Sequence, residues 1–326
     1  SDRAPNPPPT AKGIWITRAT AATMAAVALP EMRRFGYDPA LAGGTVAAGG
    51  SLGMLIPPSV VFIVYGVLTE QSIGKLFLAG VVPGLLCTVL FCLTIAVRCS
   101  LHPALGPKAP STSLRQKFAA LEGVSETLAL FALVMGGMMA GWFTPTEGAA
   151  VGALGSLVIA ALNGRASLHI LRRAADETLR TSCMVLVIVA GATMFGHFLA
   201  VTQIPASLAT WLVGLPIPPF ATMLLILAFF LVAGCFVDAL ALILLTIPIL
   251  HPVVLQLGFD PIVFGVLLVL VTQMGVITPP VGVNVYVVAG IDRSIPLQTV
   301  FRGALHFLLA LVLATLLLLL FPGLAT

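Results

Sequence analysis

The sequence predicts an all-α, polytopic membrane protein built around one structural unit that occurs twice. Three observations carry that prediction. Hydrophobic residues make up 59% of the 326 positions and charged residues 9%, where a soluble domain carries about 25% charge; mean hydropathy is +1.10. Apolar runs approaching the roughly 20 residues that cross a hydrocarbon core recur at 76–97, 127–143, 149–162, 183–200, 222–233, 262–277 and 305–320. An ungapped internal repeat joins two distant stretches of the chain.

The charges orient the runs. Net charge is +4, and most Lys and Arg sit in short connections: Arg33 and Arg34, then 98–117, then 165–180, then Arg293 and Arg302, with none between Arg180 and Arg293. By the positive-inside rule these connections face the cytoplasm, so the expected partner is the lipid bilayer and not nucleic acid. Segments 113–121 and 167–179 read as amphipathic and are expected to lie along the cytoplasmic surface. The five cysteines form no C-x-x-C pair and read as small hydrophobes. His197 and His251 read as packed or interfacial rather than as metal ligands. With no nucleophile–base set and no P-loop, neither an enzyme nor an ATP-driven pump is expected.

Sliding the chain by 222 residues lays 30–58 on 252–280. Eight of the 29 positions are identical: Pro30/Pro252, Gly36/Gly258, Asp38/Asp260, Pro39/Pro261, Gly43/Gly265, Gly53/Gly275, Pro57/Pro279 and Pro58/Pro280. All are Gly, Pro or Asp, residues that shape backbone rather than fill a core, so apolar composition alone does not explain them. Each copy reads as a segment ending at proline, a G-[YF]-D-P turn, and a helix stopped by Gly-x-x-x-Pro-Pro. A Pro-Pro pair removes backbone donors and disfavours the preceding turn, so the carbonyls of 53–56 and 275–278 are expected to lose their helical partners. In lipid such backbone survives only where it lines a cavity or a site, and a pair of interrupted apolar segments in two halves points to a transporter's binding site.

Arg33 and Arg34 precede the first interrupted helix, whereas Arg293 follows the second. The two copies are therefore expected to run in opposite directions. Residues 234–257, with Asp238 early and Pro248 and Pro252 later, read as a re-entrant hairpin of two arms too short to span singly, with Asp238 near its tip or first arm. The counterpart at 17–32 supplies a second arm with Thr20 and Thr23. Asp238 reads equally as an intramembrane binding group and as a hairpin cap. Thr20 and Thr23, one turn apart, face either a site or a neighbouring helix. Gly49 and Gly50 read as places of close helix approach, and Thr144 to Glu147 as a capped helix start.

Several long motifs stand in order: ATAATM at 19–24, ALPEM-x-x-x-GYDPALA at 28–42, GGSLGMLIPPS at 49–59, WFTPTEGAA at 142–150, GCFVDALA at 234–241, then GFDP and GVITPPVGVN. From about residue 19 to the C-terminus the chain resembles the large, DctM-like membrane subunit of tripartite ATP-independent periplasmic (TRAP) transporters. The resemblance implies an elevator-type, sodium-coupled importer in the bacterial inner membrane, working with a small four-helix membrane subunit and a periplasmic substrate-binding protein. The implied substrates are organic acids: C4-dicarboxylates, sialic or other sugar acids, 2-oxoacids. No cofactor beyond the coupling Na+ is implied. Carried onto this chain, Gly53, Ile56 and Pro58 offer carbonyls to one sodium and Gly275, Thr278 and Pro280 to another, with Ser51 and Asn284 nearby. Half-helix N-termini at Ser59 and Val281 point positive dipole ends at an anion.

The organisation expected on this basis is a leader at 1–18 outside the resemblance, a first repeat core at 19–70, connecting helices at 71–233, a second repeat core at 234–290 and a C-terminal helix at 291–326. The family's additional N-terminal helices and serine-rich hairpin tip have no counterpart in residues 1–18, so the chain is expected to be N-terminally truncated. Two other readings accompany the importer: a standalone ion-coupled anion symporter or antiporter, and a truncated membrane fragment that does not transport.

Overall fold

The computed structural model describes residues 16–107, 125–203, 207, 210, 211, 214 and 216–325, with backbone alone for 16–20 and 200. Segment 113–121 and the leader up to residue 15 lie outside the described residues. Among those described, all regular structure is helical. In chain order the α-helices are α1 (Ile16–Arg34), α2 (Pro39–Ser51), α3 (Val60–Thr69), α4 (Ile73–Leu101), α5 (Ser125–Met139), α6 (Pro145–Leu162), α7 (Leu168–Thr202), α8 (Pro219–Gly234), α9 (Ala239–Gln256), α10 (Pro261–Gly275), α11 (Val283–Ile291) and α12 (Leu297–Leu320). Five of them, α4, α6, α7, α9 and α12, hold stretches long and apolar enough to cross a membrane. The outward sides of these helices are greasy: Val89, Leu154, Val187 and Leu309 are each more than 60% exposed, the surface a bilayer covers and water does not.

The repeat is longer than the 29-residue window read from sequence. The same shift of 222 lays α1 on α9, α2 on α10, α3 on α11 and α4 on α12, every boundary agreeing within three residues. The turn chemistry explains why the shared residues are what they are. Gly36 and Gly258 both adopt positive φ, 75° and 80°, a conformation open to glycine at no steric cost. Asp38 then caps α2 by accepting from the Ala40 and Leu41 amides, and Asp260 caps α10 by accepting from Ile262 and Val263. Pro39 and Pro261 fill the first helical position, where no amide partner is needed.

The two units pack reciprocally. α1 lies against α11 and α9 against α3; α2 packs on α12 and α10 on α4. The closest crossing is α2 on α12, where a Cβ on Gly44 would fall on the Gly303 backbone and one on Gly303 on the Ala40 carbonyl, so only hydrogen atoms permit the backbones to meet. The ends of the units establish their relative direction. Arg33, just before the first unit's turn, pairs at 2.6 Å with Asp292, just past the end of α11. At the opposite pole the Tyr65 hydroxyl, in the second half of α3, donates to the Pro261 carbonyl at the start of α10, 2.6 Å away. Start meets end at both poles, so the two broken helices run antiparallel.

Two expectations are corrected. Residues 234–257 are not a hairpin in themselves. α9 runs through Pro248 and Pro252 as one helix of 18 residues, because the two prolines lie four apart and strip donors from successive turns of one side only, a loss that transmembrane helices tolerate. The hairpin is instead α8 plus α9, turning at 235–238. The Phe236 and Val237 amides both donate to the Ala233 carbonyl at that turn, and the two helices pack against each other. The second correction is at 167–179, which is not a separate surface helix but the first part of α7, continuous over 35 residues.

Away from the repeats, α5 and α6 form a hairpin packed on itself. Thr144 and Glu147 form a capping box at the start of α6, the structural role expected of them, and the Asn163 amide closes the other end on Glu126 at 2.8 Å.

Candidate functional site: two broken helices

After Ser51 the first unit narrows into a single 3-10 turn (Leu52–Met54) and then an irregular passage to Ser59; after Gly275 the second unit passes directly into irregular turns as far as Gly282. At 1.5 Å per residue, α2 with 13 residues and α10 with 15 reach only about 20 Å, so each break falls inside the hydrocarbon depth. The Pro57–Pro58 and Pro279–Pro280 bonds are both cis.

Equivalent carbonyls are re-partnered by different means. Met54 and Val276 occupy the same repeat position. The Met54 carbonyl accepts from the Ser59 hydroxyl, while that of Val276 accepts from the Asn284 amide at 3.0 Å. Ser59, 1% exposed, also caps α3 by accepting from the Phe62 amide at 3.4 Å. What remains open differs between the breaks. The Gly53, Ile56 and Pro58 carbonyls accept no hydrogen bond from a described residue, and neither do those of Thr278 and Pro280; the Gly275 carbonyl accepts from the Thr278 amide at 3.3 Å. Gly53, Ile56 and Pro58 are exposed while Ser51, Met54 and Leu55 beside them are buried, so the open carbonyls sit at the mouth of a packed wall. Neutral oxygens in this arrangement suit a hard monovalent cation.

The Thr278 hydroxyl is engaged at 2.6 Å with the Met274 carbonyl, and the Ser51 hydroxyl at 2.7 Å with that of Ala48; both keep oxygen lone pairs. Val281 does not start the second half-helix. α11 begins two residues later, at Val283, capped by Gly282 at φ 45°. A Cβ there would meet the Phe301 ring and the Thr278 carbonyl, so glycine lets the chain take one more irregular step before it can coil.

The hairpin arms converge on the breaks. A Cβ on Gly275 would lie 2.6 Å from the Gly234 backbone, which seats the end of α8, and with it the tip carrying Asp238, against the second break. The Asp238 carboxylate accepts from the Leu240 amide at 3.1 Å and caps α9; its second oxygen is uncommitted. α1 touches the first 3-10 turn, and a Cβ on Gly50 would lie 2.7 Å from that of Ala21. Gly50 thus permits close approach, whereas nothing lies within 4 Å of a Cβ at Gly49. Thr23 is exposed on the side of α1 away from buried Ala21 and Ala25. The Thr20 side chain lies outside the described residues.

One residue escaped the sequence reading. Gln273, the repeat partner of Ser51, is 0% exposed, and neither amide atom has a hydrogen-bond partner. Its signal was available: a lone amide in the apolar run 262–277, two residues before the break. A buried polar atom left unpaired costs about 1–3 kcal/mol, which makes Gln273 a candidate site residue beside the second break.

Residues 17–324 match the family model described as "Tripartite ATP-independent periplasmic transporter, DctM component". The chain belongs to the DctM family. Similar curated proteins include the C4-dicarboxylate TRAP transporter large permease protein DctM of Pseudomonas aeruginosa, 38% identical over 295 residues, 90% of this chain and 68% of the relative. The sialic acid TRAP transporter large permease protein SiaM of Vibrio cholerae is 36% identical over 93% of this chain and 71% of its own length. The ectoine TRAP transporter large permease protein TeaC of Halomonas elongata is 31% identical over 95% and 72%. As a DctM-family chain it is a TRAP large permease subunit and a multi-pass protein of the bacterial inner membrane.

Proposed function

We propose that this subunit imports an organic acid by sodium coupling, with one Na+ held at each break and the anion between the breaks and the α8–α9 tip. The observation that carries the reading is the antiparallel pair of broken helices, each presenting open carbonyls at its mouth. The first ion sits on the Gly53, Ile56 and Pro58 carbonyls beside Ser51. The second sits on those of Gly275, Thr278 and Pro280, with Gln273 and Asp238 in reach of the same region. The uncommitted Val60 and Val61 amides at the start of α3, next to Ser59, and the Val283 amide at the start of α11 supply the positive ends that an anion needs. The relatives' named substrates, a C4-dicarboxylate, sialic acid and ectoine, differ at similar identity, so the substrate is proposed only as a small carboxylate-bearing molecule. A periplasmic binding protein would deliver it and a small membrane subunit would support α5 to α7. The repeat cores, packed as one body, would carry it across in an elevator movement.

The test is thermal unfolding of the purified chain in NaCl against choline chloride at equal ionic strength. A ligand that binds only the folded state at 100 times its dissociation constant adds about 2.7 kcal/mol, so the midpoint should rise in sodium. Identical curves in the two salts would remove the sodium reading. Uptake of labelled organic acids in vesicles holding both partner subunits then reads out the substrate.

A further inference from the structure

Asn284 touches both breaks. Its main-chain N–H donates to the Val276 carbonyl at 3.0 Å, closing the second break over the irregular passage 277–282. Its side-chain Nδ2 donates 3.2 Å across to the Ala47 carbonyl, 237 residues away in sequence, in the last turns of α2 before the first break. The side chain is 0% exposed, and its Oδ1 has no partner. The Gly282 turn brings it there, at a positive φ of 45° that strains any other residue and with the Phe301 ring close above it. The repeat partner of Asn284 is Phe62, fully buried against the Gly80 region, which can make no such bond. The link is therefore an addition on top of the duplicated frame, made from one side only.

We propose that Asn284 is a positioning residue that couples the two breaks. Resting on the sodium reading above, the coupling works as follows. A cation on the Gly275–Pro280 carbonyls draws in the passage that Asn284 closes. Because the same residue grips Ala47, that movement sets the last turn of α2 and with it the Gly53 and Ile56 carbonyls. Occupancy of one break thereby prepares the other. A bond to a buried carbonyl in a low-dielectric wall transmits this better than a solvated contact would, and coupling between two sites is reciprocal by linkage.

The experiment is a Na+ titration of the unfolding midpoint of the whole chain, for wild type and Asn284→Leu, a change of similar shape without the amide. Two coupled sites give a Hill coefficient rising toward about 2. Asn284→Leu should bring it to about 1 while sodium still stabilises. Equal coefficients in both proteins, or a wild-type coefficient of about 1, would overturn the coupling and leave the sodium reading standing. No sodium response in wild type would remove both. Should Asn284→Leu fail to fold, hydrogen exchange decides. In Thr278→Val, which weakens the second break, sodium protection of residues 53–59 should shrink, and unchanged protection would refute the tie.

Discussion

Asp292 shows how a single residue, at the pole where the first unit begins and the second ends, reports on the packing of both units. Burial of its carboxyl opposes ionisation, but hydrogen bonds from Ser294 and the Arg33 guanidinium outweigh it, and its pKa lies below the ordinary carboxylate value. A carboxyl lowered on folding contributes stability above its unfolded pKa, about 3.9, and that contribution is lost as pH falls through the folded value. Asp292→Asn should therefore unfold at lower temperature than wild type from pH 7 to 5, with the gap closing below about pH 4. Arg33 is 58% exposed, so the difference should stay within about 1 kcal/mol; a gap persisting at pH 3 would mean that packing, not charge, holds the contact. Neighbouring glycines give a second residue-scale prediction. Gly50→Ala must push on Ala21 and should cost about 1–3 kcal/mol, whereas Gly49→Ala meets nothing and should be neutral or gain up to about 1 kcal/mol of helix propensity. Thermal midpoints that fall equally for both would contradict the α1–α2 contact. The sequence could not separate these two glycines, since which one faces α1 depends on helix phase and partner together.

Elements were legible to the extent that backbone-shaping residues mark them. Gly36, Asp38, Pro39, Gly53 and the Pro-Pro pair announced the turn, helix and break of each unit, because a positive φ, a cap and a stop each demand particular residue types. The match of α4 to α12 stayed hidden, because a helix flanked by lipid and core accepts any apolar residue and keeps no signature. The hairpin was misplaced for a related reason. Prolines 248 and 252 look like breakers in a string, but in α9 the lost donors fall on one side of a supported helix, and the true turn lies at Asp238. The caps give the test at this scale. Asp38→Ala and Asp260→Ala each lose two amide contacts and should each cost about 0.5–2 kcal/mol, similar in size and additive in the double variant because the sites are far apart. A much larger loss at one than at the other would show that the two turns do different jobs.

At the scale of the whole molecule the antiparallel arrangement is open to direct labelling. In a chain with its own cysteines replaced, single cysteines at Arg34 and Ser294 should react with a membrane-impermeant maleimide from one side of the membrane, and those at Glu70 and Gln256 from the other. Reaction of positions 34 and 294 from opposite sides would end the inverted reading. Reciprocal packing has a further consequence for synthesis. α1 finds its neighbour α11, and α2 its neighbour α12, only after more than 200 further residues have left the ribosome. Contacts so distant in sequence close late, so the first half must wait in the bilayer with its polar break unsheltered. A chain stopped before α12 leaves α2, α4 and α10 without the helix they pack on.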